Sequence, residues 1–420
     1  MHIIFTTILI ITVLNPLIIT QDLSKRVSYK GYQLWKLKAD TKEKKDAIKN
    51  LDIVEITRWS VNKSSPDVLI SADNLEKVKN DLERYEISHR VLIKDVQGII
   101  DEQPIEDAEE MKFSHKIETF NLSEYHNFPV IINYLTILTK VHNHIKLTTI
   151  GKTIQNNPID VVTISGGGKN GIFIEAGLHA REWISPASII FVISTFANDF
   201  NKESGAIKKL DWHFLPIGNP DGYIYSYTKD RLWRKNRSRW GNCFGTDLNR
   251  NFGYQWDYGD PNPCEETFSG TEGFSEHETV AIRDYIKKFD PHYWKAYVSI
   301  HSYGQYVLYP YGFSKTMPGN INELKMISQN VIKAIKEPYK TTYTSSAVSD
   351  LYIAAGVSTD WAKSIGIQYS FAFELRDQGK YAFLLPAQYI IPTGEELLNG
   401  IRVIAESALN DISKKSVGRN

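Results

Sequence analysis

Cysteine is scarce: only Cys243 and Cys264 occur in 420 residues, which leaves room for at most one disulfide. Neither sign of charge is in excess, with 49 Lys and Arg against 49 Asp and Glu. No basic stripe runs over tens of residues, which argues against nucleic acid as a partner. Past the first twenty residues there is no long apolar run, so the remaining chain is expected to stay out of a membrane. Internal repeats and low-complexity tracts are also missing. What is present is ordinary globular material: 42% hydrophobic and 23% charged residues, in a length that suits two or three domains.

The first segment stands apart. From Ile3 to Thr20 it is nearly all Ile, Leu, Thr and Val, interrupted by Asn15-Pro16. It is short and broken for a membrane span, and it reads as a signal peptide over residues 1–20, cleaved near Thr20 or Gln21. A signal anchor is the alternative. The signal reading predicts a secreted, extracellular protein with no membrane attachment once the leader is removed. In that setting the two cysteines form one disulfide; two free thiols would fit a cytosolic protein instead. Asn62-Lys63-Ser64, Asn121-Leu122-Ser123 and Asn236-Arg237-Ser238 match the N-glycosylation sequon, a pattern common by chance.

Residues 21–113 read as one segment, with a folded unit from about Val27 to Asp95. Tyr32 to Leu37 alternates as a half-buried strand, and Asp40 with Glu43 marks a helix start before Ala47, Ile48 and Leu51. Strands follow at Ile56–Val61 and Asp67–Ala72, then a helix capped by Asp73 with Leu75, Val78 and Leu82 on one face. Arg90–Lys94 closes the unit as a strand. The order β-α-β-β-α-β predicts a small α+β, ferredoxin-like domain. It holds no cluster of His or Cys, so its expected role is scaffolding or masking. An acidic connector follows, with Asp101, Glu102, Glu106, Asp107, Glu109 and Glu110, ending in Met111 to Lys116. It reads as a solvated linker and as a substrate for a trypsin-like activating protease.

From residue 114 to 420 the pattern is α/β. Helical character runs over Tyr125–His144 and Ser185–Phe200. Strands are expected at Ile159–Ser165, Ile172–Ala176, Trp212–Ile217, Tyr297–His301 and Ile367–Leu375. Asn219 to Gly222 reads as a turn, and the stretch from Asn219 to Phe274 as a long functional loop region. Such alternation predicts a mixed, largely parallel central sheet with helices on both faces.

Chemistry concentrates in Gly177-Leu178-His179-Ala180-Arg181-Glu182-Trp183. It follows the strand ending at Ala176 and precedes Ser185-Pro186, a helix-start signal. His179 and Glu182 therefore fall beyond a strand's carboxyl end, where open α/β sheets bind ligands. An imidazole and a carboxylate at this spacing can share a divalent metal such as zinc, although the spacing also arises by chance on surfaces. His301, at the end of Val298-Ser299-Ile300-His301, is the candidate third ligand; a histidine there is otherwise simply hydrogen-bonded.

Five motifs taken together resemble the secreted zinc carboxypeptidases of the digestive A/B type. They are His179-Ala180-Arg181-Glu182-Trp183, Trp233 to Arg237, Asp247-Leu248-Asn249-Arg250-Asn251, His301-Ser302-Tyr303 and Phe373-Glu374-Leu375-Arg376-Asp377, in the family's order. The likeness runs from about Phe120 to the C-terminus, and the first domain resembles the family's inhibitory pro-segment. The resemblance implies one Zn²⁺ per chain on His179, Glu182 and His301, with Asp247 behind His179. It implies Glu374 as general base and Arg234 as the group that stabilises the oxyanion. Asn249, Arg250 and Tyr352 would bind the terminal carboxylate of a peptide or protein substrate. Arg181, Ser302, Tyr303 and Phe383 match positions that contact residues upstream of the cut. Read without the resemblance, Glu374 would pair with Arg376 or Arg250, and Arg231, Arg234, Arg237 and Arg239 would be a solvated basic loop, a reading expected to hold for three of the four. Cys243 and Cys264 match a family disulfide.

Thr359 matches the pocket floor, where relatives specific for Lys or Arg carry an acid and A-type relatives an apolar residue. Without a countercharge the pocket is expected to favour neutral apolar or aromatic side chains. Small residues at Gly312, Ala347 and Ala354 leave room, and Asp360 matches a family-wide position, not the charge. A monomer is expected. The competing readings are a catalytically inactive secreted binding protein of the same fold, and a carboxypeptidase for basic C-terminal residues.

Overall fold

The computed structural model describes residues 26–50, 56–59, 65–103 and 120–417. The expected leader, the Asn62 sequon, most of the connector and the 113/114 boundary lie outside the described residues.

The small domain follows the expected order: β1 (Gln33–Lys38), α1 (Lys42–Asn50), β2 (Ile56–Arg58), β3 (Asp67–Ile70), α2 (Leu75–Arg84) and β4 (Ser88–Ile93). Its sheet runs β2-β3-β1-β4 with every pairing antiparallel. Two caps differ from expectation. Thr41 Oγ1, not Asp40, accepts from the third N–H of α1 at 3.2 Å, because Asp40 pairs with Lys44. Asp73 lies within a short 3₁₀ turn before α2. A further helix, α3 (Val96–Asp101), is capped by Asp95, which accepts from Gly98 N.

Alternation along β1 sorts side chains between two apolar partners. Trp35 and Leu37 pack under the helices with Val68, Ile70, Val78 and Leu82. Leu34 faces the other way, with Leu69 and Ile93, and joins Trp59, Leu232, Tyr303 and Phe383. The last three belong to the large domain. So a strand that reads as half-buried is covered on both faces, the second cover being the rest of the chain.

The large domain contains α4 (Phe128–Val141), β5 (Ile145–Lys152), β6 (Pro158–Ser165), β7 (Gly171–Ala176), α5 (Ile184–Asp199), β8 (Asp211–Leu215), α6 (Pro220–Thr228), β9 (Arg239–Trp240), β10 (Cys243–Phe244) and α7 (His277–Lys287). It continues through β11 (Trp294–Ser302), β12 (Tyr306–Tyr309), α8 (Ile321–Tyr339), β13 (Thr344–Ala347), α9 (Val348–Leu351), α10 (Ser358–Ser364), β14 (Tyr369–Leu375) and α11 (Ile390–Val417). Eight strands form one mixed sheet in the order β13-β12-β14-β11-β7-β8-β6-β5. Its centre, β14-β11-β7-β8, is parallel. Antiparallel joints bring in β12, β6 and β5.

Helices α4, α5, α8 and α11 cover one face; α7 and α10 cover the other. Helix α5 is rich in β-branched residues, yet burial on nearly every side overrides their weak helix propensity. Asn219 to Gly222 is no free turn: Asn219 Oδ1 accepts from Gly222 N at 2.9 Å and starts α6. Ser185 lies buried in the first turn of α5, whose N-cap is Trp183.

The period of two along the strands places the site. Ala296, Val298 and Ile300 of β11 and Phe371, Phe373 and Leu375 of β14 pack toward α5 and α11. Their alternates therefore share the opposite face, and His301 stands in register beside Glu374 at the carboxyl ends of both strands. Cys243 and Cys264 form a disulfide with Cα atoms 5.2 Å apart.

On β8, His213 is enclosed by Tyr285 and Tyr293, whose hydroxyls lie 2.8 Å from its two ring nitrogens. Burial pushes this imidazole down to about 4 from an ordinary 6.5. The folded state therefore keeps His213 neutral while the unfolded chain protonates it below about 6.5. Stability from this group is complete above that pH and is lost as pH falls toward 4, by about 3 kcal/mol at most. Denaturant titrations across this window should show a steeper fall for the native chain than for His213→Gln.

Candidate metal centre and substrate cleft

Gly177 follows β7 at φ +67°, and a Cβ there would crowd Pro186 at 3.1 Å and the backbone of Ile217 at 3.3 Å. Glycine thus lets the chain turn sharply off the sheet. The turn is tied down where Ala180 N donates to Arg234 O at 3.0 Å. His179 and Glu182 are both buried there, and β11 brings His301 to them.

Three ligand-type side chains converge. His179 Nδ1 lies 2.8 Å from Glu182 Oε1, His301 Nδ1 lies 3.1 Å from Glu182 Oε2, and the two Nδ1 atoms are 3.1 Å apart. Among the described residues this is the one group of three such side chains able to hold a metal ion. The opposite ring nitrogens are anchored. His179 Nε2 donates to Asp247 Oδ1 at 3.0 Å, which leaves Nδ1 free to ligate. His301 Nε2 lies 2.8 Å from Ser299 Oγ and 3.1 Å from Asn249 Nδ2. Two imidazoles and one carboxylate, each oriented from behind, fit a catalytic type of zinc site.

Charges are arranged around this cluster. Burial resists ionisation of Glu182, but His179 and His301 outweigh it and hold the carboxyl below its usual range. Asp247 is likewise kept ionised, with Arg234 and His179 overcoming burial. Arg234 grips it through Nη2 at 2.8 Å and Nε at 3.1 Å. The Glu374 carboxylate makes no hydrogen bond among the described residues, and Arg376 pairs with Glu396 instead. Burial pushes Glu374 up to about 8, the charge of Glu182 adding to it and His301 and Arg234 opposing. The side chain is only partly buried, so solvent tempers this shift, and a bound cation would pull it back down.

Arg250 is buried, donates to Asn249 O at 2.7 Å and lies 5.5 Å from the Tyr352 ring. Among the described residues no carboxylate pairs with it. Asn249 is oriented by Ser358 N, which donates to its Oδ1 at 2.9 Å. Thr359, in α10, is buried. Asp360 beside it accepts from Gly312 N and Phe313 N at 2.8 and 3.1 Å, so its oxygens are committed to backbone.

Two of the remaining candidates, Tyr303 and Phe383, meet the small domain. Tyr303 Oη donates to Asp67 Oδ2 at 2.8 Å, and Asp67 also pairs with Lys36 at 3.0 Å. Phe383 packs on Trp59 with ring centres 5.0 Å apart. Arg181 pairs with Glu266 at 2.9 Å and lies 4.4 Å from the Phe383 ring. Ser302 N donates to Glu182 Oε2 at 3.2 Å.

Two of the three arginines expected in a solvated loop are packed against aromatic rings. Arg231 is buried over the Trp183 ring at 3.6 Å and donates to Gln103 Oε1 and Phe383 O. Arg237 stacks on Tyr225 at 3.6 Å. Only Arg239 of the three is exposed. The aromatic residues at 225 and 233, spaced around these arginines, were the available signal. The Asn236 sequon is also no surface site, since its side chain is fully buried.

Comparison with known proteins bears on this arrangement. Residues 131–400 match the model of the zinc carboxypeptidase family, and residues 35–103 match that of the carboxypeptidase activation peptide. The chain is 34% identical to carboxypeptidase A1 of Bos taurus, over 91% of this chain and 95% of that protein. It is 37% identical to carboxypeptidase A2 of Rattus norvegicus, over 79% and 82%. Among solved structures it superposes on thrombin activatable fibrinolysis inhibitor with a TM-score of 0.82 at 32% identity, covering 90% of this chain and 98% of that one. Carboxypeptidase A from Helicoverpa armigera gives 0.81 at 27% identity, with the same coverage. These likenesses span both domains, and the chain therefore belongs to the zinc carboxypeptidase family, in its A/B branch, as a proenzyme that carries its activation peptide.

Proposed function

We propose that this proenzyme, once activated, removes neutral apolar or aromatic residues from the C-termini of peptides and proteins. The observation that carries the reading is Arg250: a buried guanidinium without a carboxylate partner, one residue from the Asn249 side chain that touches His301. A buried unpaired cation beside a ligand cluster is an anchor awaiting an anion. A free C-terminal carboxylate fits it, with Asn249 and Tyr352 as further contacts. Chains that continue past this point find no place, which makes the activity exo rather than endo.

The other side chains then have roles. His179, Glu182 and His301 would hold zinc, which supplies a Lewis acid and lowers the pKa of a water in its open position. Glu374, standing in register with His301, takes the proton of the attacking water and returns it to the leaving amine. Arg234 donates to the carbonyl oxygen as it gains charge, and Asp247 holds the guanidinium in place for that task. Ser302, Tyr303, Arg181 and Phe383 would contact residues upstream of the cut. Thr359 brings no charge to the pocket floor, and Asp360 is spent on two backbone N–H groups, so a basic side chain would meet no counterion. Activation requires removal of the small domain, which reaches Tyr303 and Phe383. A leader over residues 1–20, a cut near 113/114 by a trypsin-like protease, and the Cys243–Cys264 disulfide are consistent with a secreted, extracellular enzyme.

Three outcomes are expected. Tryptically activated protein should release C-terminal Phe or Leu at least about tenfold faster than Arg or Glu from matched peptides; faster release of Arg would reverse the pocket assignment. Glu374→Gln should lower kcat by about 10²–10⁴-fold while zinc content stays the same, whereas a chelator should abolish activity until zinc is returned. Asp67→Ala in the intact proenzyme should raise hydrolysis of a small substrate about tenfold or more, since Tyr303 loses a charged acceptor. An unchanged basal rate would show that this contact does not hold the domain down.

A further inference from the structure

Arg234 and Asp247 lie thirteen residues apart in sequence, and between them runs a loop with its own small hairpin, β9 and β10, tethered by the disulfide at Cys243. Nothing in such a loop obliges its two ends to meet. Asn236 is one of the residues that tie them together. Its backbone N–H donates to Thr246 O at 3.1 Å, and Thr246 N donates to its side-chain Oδ1 at 2.7 Å. This pair of bonds closes the base of the loop one residue before Asp247. At the same point Gly245, at φ +83°, brings its backbone so near that a Cβ would sit 2.5 Å from Asn236 O.

The other end of the amide reaches beneath the loop. Asn236 Nδ2 donates to Glu276 Oε2 at 2.7 Å and lies 3.2 Å from Glu278 Oε2. Ser238 Oγ donates to the same Glu276 oxygen. Asn236, Thr246, Glu276 and Glu278 are all buried. Glu276 stands at the start of α7, and its backbone N donates to Asn251 Oδ1 at 3.1 Å. The start of α7 thus grips the chain on both sides of the segment that carries Asp247, Asn249 and Arg250. Ser238 adds two longer contacts to the same amide, its N to Oδ1 and its Oγ to Nδ2, and all five partner groups are on buried residues, so little slack is left.

We propose that Asn236 is a positioning residue: fixed on the start of α7 through Glu276, it closes the loop base and so sets where the Arg234 guanidinium stands beside Asp247. Asn236 touches no substrate. It acts on the reaction through Arg234, and the inference rests on the reading of Arg234 as the group that meets the developing oxyanion. An error in the placement of Arg234 is felt where charge develops, in the transition state, more than in the bound substrate.

The test uses the activated enzyme and two inhibitors. One is a phosphonate analogue of a dipeptide ending in Phe, which presents tetrahedral anionic oxygens. The other is hydrocinnamate, a carboxylate with a phenyl group and no tetrahedral centre. Asn236→Asp keeps the acceptor for Thr246 but turns a negative charge on Glu276 and Glu278. It should lower kcat and phosphonate affinity together, by about tenfold or more, with KM and hydrocinnamate affinity within about twofold and zinc content unchanged. Equal weakening of both inhibitors, or of neither, would overturn the proposal. Ser238→Ala, which only trims the same network, should show the same split at smaller size and serves if the aspartate variant does not fold; no split in it also counts against the idea.

Arg234→Ala separates this inference from the reading beneath it. If that variant binds the phosphonate normally, the role of Arg234 itself falls, and this proposal with it. If it loses phosphonate affinity and Asn236→Asp does not, only the positioning role fails. The double variant should be no weaker than Arg234→Ala alone, and additive losses would show that Asn236 acts elsewhere.

Discussion

One buried carboxylate holds the site together. Asp247 has no solvent exposure, yet it stays ionised because His179 and Arg234 share it. One oxygen takes the His179 ring N–H and the Asn249 backbone N–H, the other takes the Arg234 guanidinium. Removing Arg234 would leave a buried charge without its cation, which is among the costliest defects a protein interior can carry. The same group therefore fixes which nitrogen of His179 faces the other ligands and where Arg234 stands. The turn after β7 and the long loop after α6 become one rigid unit through a single side chain.

The sheet supplies the other half of the geometry without any special interaction. Strand register alone sets His301 against Glu374, and the twofold period decides that both point away from α5 and α11. A slip of one residue in β14 would turn Glu374 into the apolar layer. Register of this kind is secured by the rows of Ile, Val and Phe on the opposite face, so the chemistry rests on packing that never touches a substrate.

Much of this was legible in advance. The β-α-β-β-α-β order of the small domain, the parallel strands at the centre of the sheet and the turn carrying His179 and Glu182 all follow from local pattern. The meeting of His301 with that turn does not, since it depends on which strands become neighbours; its place at a strand end made it a candidate, and the resemblance supported the choice. Local pattern misled where tertiary contact decides. Asn219 looks like a turn residue and is a helix cap; β5 carried no reading at all because its side chains are only half covered. Arg231 and Arg237 look solvated because charge alone does not show that aromatic rings wait to receive them. Asn236 matches a surface modification pattern and is instead part of the interior.

While the first half of β4 is exposed, the centre of the small domain's sheet is covered on both faces. Its helix side is a core of its own, and its far side, with Leu34, Leu69, Ile93 and Trp59, is completed by the large domain. Once severed, that far side is bare, and a detached fragment with such a patch tends to clump or be digested rather than return. Release is then a ratchet: the fragment that leaves is removed from the equilibrium, and the opened cleft does not close again.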